Sequence, residues 1–317
     1  MRRIVPVLLA VVLVACAGTP HAQIPPRIDD IVAPVRATVL PASASQGALV
    51  IASTHPAAVV TVDGRSVRVA PDGSFVFGIG RDASGEVVVS VRQPGTGVIE
   101  HRIAVMPRDW PIERIAGVPP ATVNPPPEIA ARIAREQAQV VAARARDDAR
   151  EDYARPFIWP VQGRISGRFG NQRVYNNTPK SPHSGMDIAV PQGTPVKAPA
   201  AGVVTFAAPD LYLTGGTVLL DHGHGVSSNF LHLSRLDVKV GDRVEQGQVI
   251  GAVGMTGRAT GPHLHWGMNW FDVRVDPLLV LETPGARERQ RTGLRARCGR
   301  KPSPPHRADA GSRSARR

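Results

Sequence analysis

The sequence predicts a mainly β protein with one long helix, and three observations carry that prediction. Across 317 residues there are 31 glycines and 30 prolines, while aromatic residues make up only 4%. That composition suits short strands joined by tight turns. Short apolar runs alternate with turn signals from Val35 to Met106 and again from Pro156 to Leu281. One stretch breaks the pattern: Glu128 to Arg150 holds eight alanines and five arginines with no glycine or proline, which is helix-forming by propensity alone.

The chain opens with Arg2 and Arg3, then an apolar run from Ile4 to Val14 interrupted only by Pro6. About eleven residues are too short to span a bilayer as a helix, so residues 1–16 read as an export signal. Its end, Leu13-Val14-Ala15-Cys16, resembles a bacterial lipobox, which predicts a lipid anchor at Cys16 and attachment to a membrane. The rival reading is an ordinary signal peptide cut after Ala17. Both place the mature protein outside the cytoplasm, in the periplasm or cell envelope. The other cysteine is Cys298. Two cysteines so placed make neither a disulfide framework nor a thiolate zinc site, so any metal is held by His, Asp or Glu.

Pro20 to Pro34 reads as a linker. Residues 24–115 then read as a small β-sandwich: Val59-Val60-Thr61-Val62 runs into Asp63-Gly64, Pro71-Asp72-Gly73 precedes Phe75-Val76-Phe77, and Val87–Val91 and Ile103–Val105 add strands. No ionisable cluster marks it as catalytic. Asn124-Pro125-Pro126-Pro127-Glu128 is a helix-start signal, and 124–153 reads as a helical connector with a thin apolar stripe of Ile129, Ile133 and Val140. Residues 156–282 return to dense strands and glycine turns, such as Gly202–Phe206 and Thr217–Asp221, and predict an antiparallel β domain. From Thr283 onward the chain has no apolar period and reads as a basic disordered tail. That tail holds eleven Lys/Arg against Glu288 and Asp309, so it supplies +9 of the net charge of +12. No aromatic residue interleaves with those basic residues. The charge therefore does not describe a nucleic-acid-binding domain.

The histidines concentrate in 156–282. In Gly261-Pro262-His263-Leu264-His265-Trp266-Gly267, strand alternation projects His263 and His265 to one face and turns Leu264 and Trp266 into packing. In Ser181-Pro182-His183-Ser184-Gly185-Met186-Asp187, Pro182 and Gly185 argue against a helix, and an extended segment puts His183 and Asp187 on one face. Imidazole and carboxylate are donors that Zn²⁺ accepts, and a catalytic site uses three protein ligands. Four candidates for three places leave one histidine for proton transfer. A third stretch, Asn229-Phe230-Leu231-His232-Leu233-Ser234, turns His232 away from Leu231 and Leu233 by alternation. His222-Gly223-His224 repeats the i, i+2 spacing, but in a glycine turn where alternation does not hold.

The order His-x-x-x-Asp, His-Leu-Ser and Gly-x-His-x-His within this stretch is similar to that of the lysostaphin-type zinc endopeptidases, the LytM-like family acting on peptidoglycan. Ile165-Ser166-Gly167-Arg168-Phe169-Gly170, Gly193-Thr194-Pro195-Val196, Asp221-His222-Gly223 and Val240-Gly241-Asp242 agree with it. The resemblance covers about 157–280. It implies an open β-sheet groove in the peptidase domain, with His183, Asp187 and His265 as zinc ligands and His232 and His263 as catalytic histidines. Phe230-Leu231 stands where the family often has Tyr-Ala. The implied activity is hydrolysis of peptide bonds in peptidoglycan stem peptides or cross-links, for cell-wall remodelling. Tyr175 is a further candidate for the oxyanion, weighed against an ordinary surface tyrosine. Two other classes stand beside the enzyme: a catalytically silent, peptidoglycan-binding regulator of cell-wall amidases, and a lipid-anchored adhesion or scaffold protein. Filled ligand positions argue against the regulator.

Overall fold

The protein is described as a computed structural model over residues 35–116 and 124–282. The segments expected to be an export signal with Cys16 and a basic disordered tail lie outside those residues. The described chain is mostly β, as its composition predicts.

Seven strands form the amino-terminal part: β1 (Ser43–Ser45), β2 (Leu49–Ser53), β3 (Val59–Val62), β4 (Arg65–Val67), β5 (Ser74–Gly78), β6 (Glu86–Arg92) and β7 (Val98–Met106). Five make one sheet in the order β1-β7-β6-β3-β4, and β2 pairs with β5 as a two-stranded ribbon. Alternation explains the packing. Val87, Val89 and Val91 of β6 are buried between more exposed neighbours, as expected for a strand with one apolar face. In β5 the three central residues, Phe75, Val76 and Phe77, are all buried, so this strand, unlike its partner β2, which exposes Ile51, is covered on both faces. Gly78 shows what lies on one of them: a Cβ there would stand 2.9 Å from Val275 and 3.0 Å from Trp270.

β8 (Ile112–Ile115) follows, then helix α1 (Pro127–Arg144) and a 3₁₀ turn at Asp152–Ala154. Pro127 sits at the first helical position, where its missing N–H costs nothing. The helix is shorter than the alanine-rich run. Beyond Arg144 the side chains are engaged elsewhere, Asp147 with Arg68 at 3.0 Å and Arg150 with Asp221. No residue of α1 is fully buried. It is held on the sheet by polar contacts: Glu136 Oε2 accepts the Tyr212 N–H at 2.8 Å, and Arg132 donates to the Asp210 carbonyl at 2.9 Å. No helix among the described residues is long and apolar enough to cross a membrane.

The remaining strands are β9 (Arg164–Gly167), β10 (Gln172–Tyr175), β11 (Thr178–Pro179), β12 (Met186–Ala189), β13 (Pro195–Lys197), β14 (Gly202–Leu211), β15 (Gly215–Asp221), β16 (Val226–Leu233), β17 (Arg235–Leu236), β18 (Arg243–Val244), β19 (Val249–Ala252), β20 (His263–Trp270) and β21 (Val273–Val275), closed by helix α2 (Pro277–Glu282). Eight make the main sheet, in the order β18-β14-β15-β16-β20-β12-β9 with β21 also on β20. Every pairing in it is antiparallel. β13-β19-β17 and β11-β10-β8 form two small sheets. One face of β20 carries Leu264, Trp266, Met268 and Trp270, all buried, and joins one continuous apolar cluster with Phe75, Phe77 and Val89 of the amino-terminal strands. The opposite face carries the histidines.

Candidate metal centre

Strand register assembles the centre. Asp187 of β12 pairs directly with His265 of β20, and Ala189 with His263. Residues directly opposite each other in an antiparallel pair project to the same face, so Asp187 stands with His263 and His265, of which sequence spacing by itself pairs only the two histidines. His183 joins them by a different route from the one expected. It precedes β12 and is not in a strand, so alternation does not place it. Two backbone hydrogen bonds do, from His183 N–H to the Asn171 carbonyl and from Gly170 N–H to the His183 carbonyl, each 2.9 Å.

His183 Nε2 lies 3.0 Å from Asp187 Oδ1 and 3.1 Å from His265 Nδ1, and His265 Nδ1 lies 2.8 Å from Asp187 Oδ1. All three residues are buried, and their ligand atoms fall within 4.8 Å of one another. The proton inventory tests whether a cation fits. His183 Nδ1 is 2.9 Å from the Arg168 carbonyl; a carbonyl only accepts, so the proton sits on Nδ1 and the Nε2 lone pair faces inward. Burial drives His265 towards the neutral form, its pKa pushed down to about 4. Burial alone would raise Asp187, but its contacts with His183 and His265 outweigh that and hold its carboxyl well below the ordinary range. Two imidazoles and a carboxylate converging on one point are a metal's donor set.

Two glycines make room for it. A Cβ at Gly167, which pairs with Asp187, would stand 2.5 Å from Asp187 Oδ2, and one at Gly185 would stand 2.7 Å from His265 Nε2.

His232 and His263 stand beside the centre. Their ring centroids are 4.8 Å apart, and His232 is 6.4 Å from His265. His263 Nε2 is 3.8 Å from Asp187 Oδ1. Each has its other nitrogen committed: His263 Nδ1 donates to the Gly261 carbonyl and His232 Nδ1 to the Thr256 carbonyl, both at 2.8 Å. Burial lowers the His232 pKa. Simple alternation misplaces His232. Leu231, not His232, pairs with His265, so an ideal strand would send His232 to the far face. Its backbone takes a φ of 65°, which breaks the alternation and returns the ring to the histidine side.

The second histidine pair is elsewhere and structural. His222 is fully buried, donates from Nδ1 to the Ala201 carbonyl at 2.7 Å and meets Ser228 Oγ at 2.9 Å through Nε2. His224 meets the Tyr153 hydroxyl at 3.1 Å. Neither belongs to the metal set found among the described residues. Tyr175 lies half-buried in β10.

Sequence reading missed Arg173. Its Nη2 donates to Asp187 Oδ2 at 3.2 Å, the oxygen other than the Oδ1 that faces His183 and His265. No periodicity singles it out, since β10 is not a neighbour of β12 in any sheet. A cavity of about 350 Å³ borders His183, walled by Phe169, Ser184 and Arg274 and, from the turn between β5 and β6, by Arg81 and Asp82.

Comparison with known proteins agrees with this geometry. The profile of Peptidase family M23 matches residues 181–277, which hold all five histidine and aspartate residues of the centre. A crystal structure from Pseudomonas aeruginosa described as a peptidase M23 is 36% identical, covers 76% of this chain and 95% of its own, and superposes with a TM-score of 0.60. Among curated relatives, the peptidoglycan DD-endopeptidase ShyA of Vibrio cholerae is 44% identical over 111 residues, 34% of this chain and 26% of the relative. The DD-carboxypeptidase/endopeptidase Mpg of Neisseria meningitidis is 46% identical over 103 residues, 32% of this chain and 24% of the relative. The chain spans about a quarter of the length of these curated relatives. The likeness to the Pseudomonas structure runs well beyond the histidine strands, through most of both chains, and on that ground this chain belongs to peptidase family M23.

Proposed function

We propose that the chain is an exported, zinc-dependent endopeptidase that hydrolyses peptide bonds in peptidoglycan stem peptides or cross-links. The observation that carries this reading is the convergence of His183 Nε2, Asp187 Oδ1 and His265 Nδ1, with His232 and His263 stationed beside it. Zinc is the metal on which the family depends, and the donor set suits it. The name of the Vibrio cholerae relative points to peptidoglycan. In this reading residues 156–282 are the peptidase domain, 24–115 and the 124–153 connector accompany it, and the signal at 1–16 delivers it to the cell envelope, anchored through Cys16.

His183, Asp187 and His265 hold the metal. When bound, zinc supplies Lewis acidity, polarising the scissile carbonyl and lowering the pKa of the attacking water. The chain's own groups do the rest. His232 and His263 have their Nδ1 protons committed to carbonyls, so each offers Nε2 as a base. A base lowered in pKa by burial, as His232 is, stays unprotonated at neutral pH and can take the water's proton. The imidazolium so formed can return it to the leaving amine.

Digestion of purified peptidoglycan, followed by mass spectrometry of the released muropeptides, tests activity and identifies the bond. The reading requires new peptide termini, abolished by a chelator and restored by zinc. Unaltered peptidoglycan with less than one bound zinc would instead favour the non-catalytic regulator.

A further inference from the structure

We propose that Glu113 is a positioning residue for the metal centre, acting through Arg173 on the far oxygen of Asp187. This rests on His183, Asp187 and His265 being the zinc site. Neither Glu113 nor Arg173 lies in the residues matched by the family profile.

β8 pairs in parallel with β10, Glu113 standing opposite Arg173. Arg173 Nε donates to Glu113 Oε2 at 3.4 Å, and Arg173 Nη2 donates to Asp187 Oδ2 at 3.2 Å. Glu113 Oε1 also accepts from Asn171 Nδ2 at 2.6 Å, and the carbonyl of that same Asn171 accepts the His183 N–H. One carboxylate on a strand sixty residues upstream thus touches the supports of two of the three ligands.

The segment is clamped as well as paired. Trp110 packs over Gly170, at a position a Cβ would fill, and meets the Phe169 ring edge-on at 5.9 Å. Arg81 Nε donates to the Gly170 carbonyl at 2.7 Å, and Gln172 N–H donates to the Pro111 carbonyl at 2.9 Å.

Two physical effects follow. Engaging Oδ2 leaves Oδ1 as the oxygen offered to the metal, so Arg173 sets the orientation of the carboxylate. A guanidinium so close to a ligand also repels an incoming dication, and Glu113 supplies the charge that offsets it. Glu113→Gln keeps the side chain's shape, its acceptor for Asn171 and the strand pairing, and removes the charge together with the oxygen that accepts from Arg173 Nε. Outer partners of metal ligands typically change affinity about 10–100-fold when altered.

The test is zinc affinity by chelator competition in the full chain, for wild type, Glu113→Gln, Arg173→Gln and the double variant, with Asp147→Asn as control. The control breaks another contact of the amino-terminal strands, the 3.0 Å Arg68–Asp147 pair. Glu113→Gln is expected to weaken zinc binding about tenfold, to leave the unfolding temperature of the zinc-free protein near wild type, and to cost little once Arg173 is gone. Asp147→Asn leaves zinc affinity unchanged. Glu113→Gln within twofold of wild type would overturn the proposal. So would an equal loss in Asp147→Asn, or the same loss with and without Arg173. Glu113→Asp, which keeps the charge, should recover part of the affinity, and failure to exceed Glu113→Gln counts against the proposal. A wild-type chain that binds no zinc defeats the metal-site reading itself, and this inference with it.

Discussion

His232 reaches within 4.8 Å of His263, ring centre to ring centre, while Leu231 occupies the strand position paired with His265. The left-handed backbone at His232, with φ of 65°, makes that arrangement. Such a conformation is costly for a residue with a side chain and persists only where surrounding structure enforces it. Here the His232 N–H is held by the Thr214 carbonyl and its ring by the Thr256 carbonyl, both at 2.8 Å.

His232→Ala and His263→Ala should therefore keep zinc and lose rate. Three protein ligands remain in each, and loss of proton transfer should lower turnover roughly 10²–10⁴-fold. Because the two rings serve one reaction, the losses should not multiply in the double variant. Zinc stoichiometry measured beside peptide hydrolysis checks this; a His263→Ala protein without zinc would exchange its role with that of His265.

Alanine at His183, Asp187 or His265 should empty the site and abolish hydrolysis together. Gly167→Ala should mimic this more mildly without touching a ligand, since its methyl group would crowd Asp187 Oδ2 at 2.5 Å and His183 Cε1 at 3.1 Å. We expect zinc affinity to fall on the order of tenfold or more, with circular dichroism unchanged. Wild-type affinity in Gly167→Ala would mean that the carboxylate is not held where the structure puts it.

His222 should make the fold acid-sensitive. Burial pushes its pKa down to about 4, from an ordinary 6.5. A depressed pKa means that its contribution to stability is complete above about pH 6.5 and is lost as pH falls towards 4. The size is on the order of a few kcal/mol. Urea unfolding of the zinc-free protein should show the midpoint falling through that window, and His222→Gln should flatten the fall. Some slope remains, because His265 shifts in the same direction. Parallel pH curves for wild type and variant would remove His222 as a cause.

Cys16→Ser should release the protein from the membrane fraction into the soluble fraction of the envelope, and removal of residues 284–317 should leave zinc content and cleavage of a short peptide unchanged. Membrane fractionation and amino-terminal sequencing decide the first. A wild-type protein already soluble and beginning at Gly18 would replace the lipid anchor with an ordinary signal peptide.

Part of the centre was legible because it obeys the two-residue period of a strand: His263 and His265 fall on one face by spacing and Leu264 and Trp266 go to the core, whereas Asp187 beside them was implied only by the family resemblance. The rest depends on features without a local signature. His183 is fixed by backbone bonds to a segment twelve residues upstream, and His232 by a left-handed kink that alternation cannot foresee. Arg173 and Glu113 are joined by parallel pairing across sixty residues, which leaves no pattern in either stretch. The long helix was legible from alanine content, but its end was not, because tertiary ion pairs at Asp147 and Arg150 draw the chain away.

The ribbon of β2 and β5 shares its apolar cluster with the histidine-bearing sheet, Gly78 lying against Trp270 and Val275. Strands that share a core tend to open together. A ligand that binds only the folded state adds its binding free energy to every opening that destroys its site. Zinc affinity should then be readable far from the metal, as slower hydrogen exchange at the amides of Phe75 and Phe77. An isolated 156–282 fragment, stripped of the ribbon, would expose Trp270 and Val275 to water and invite self-association.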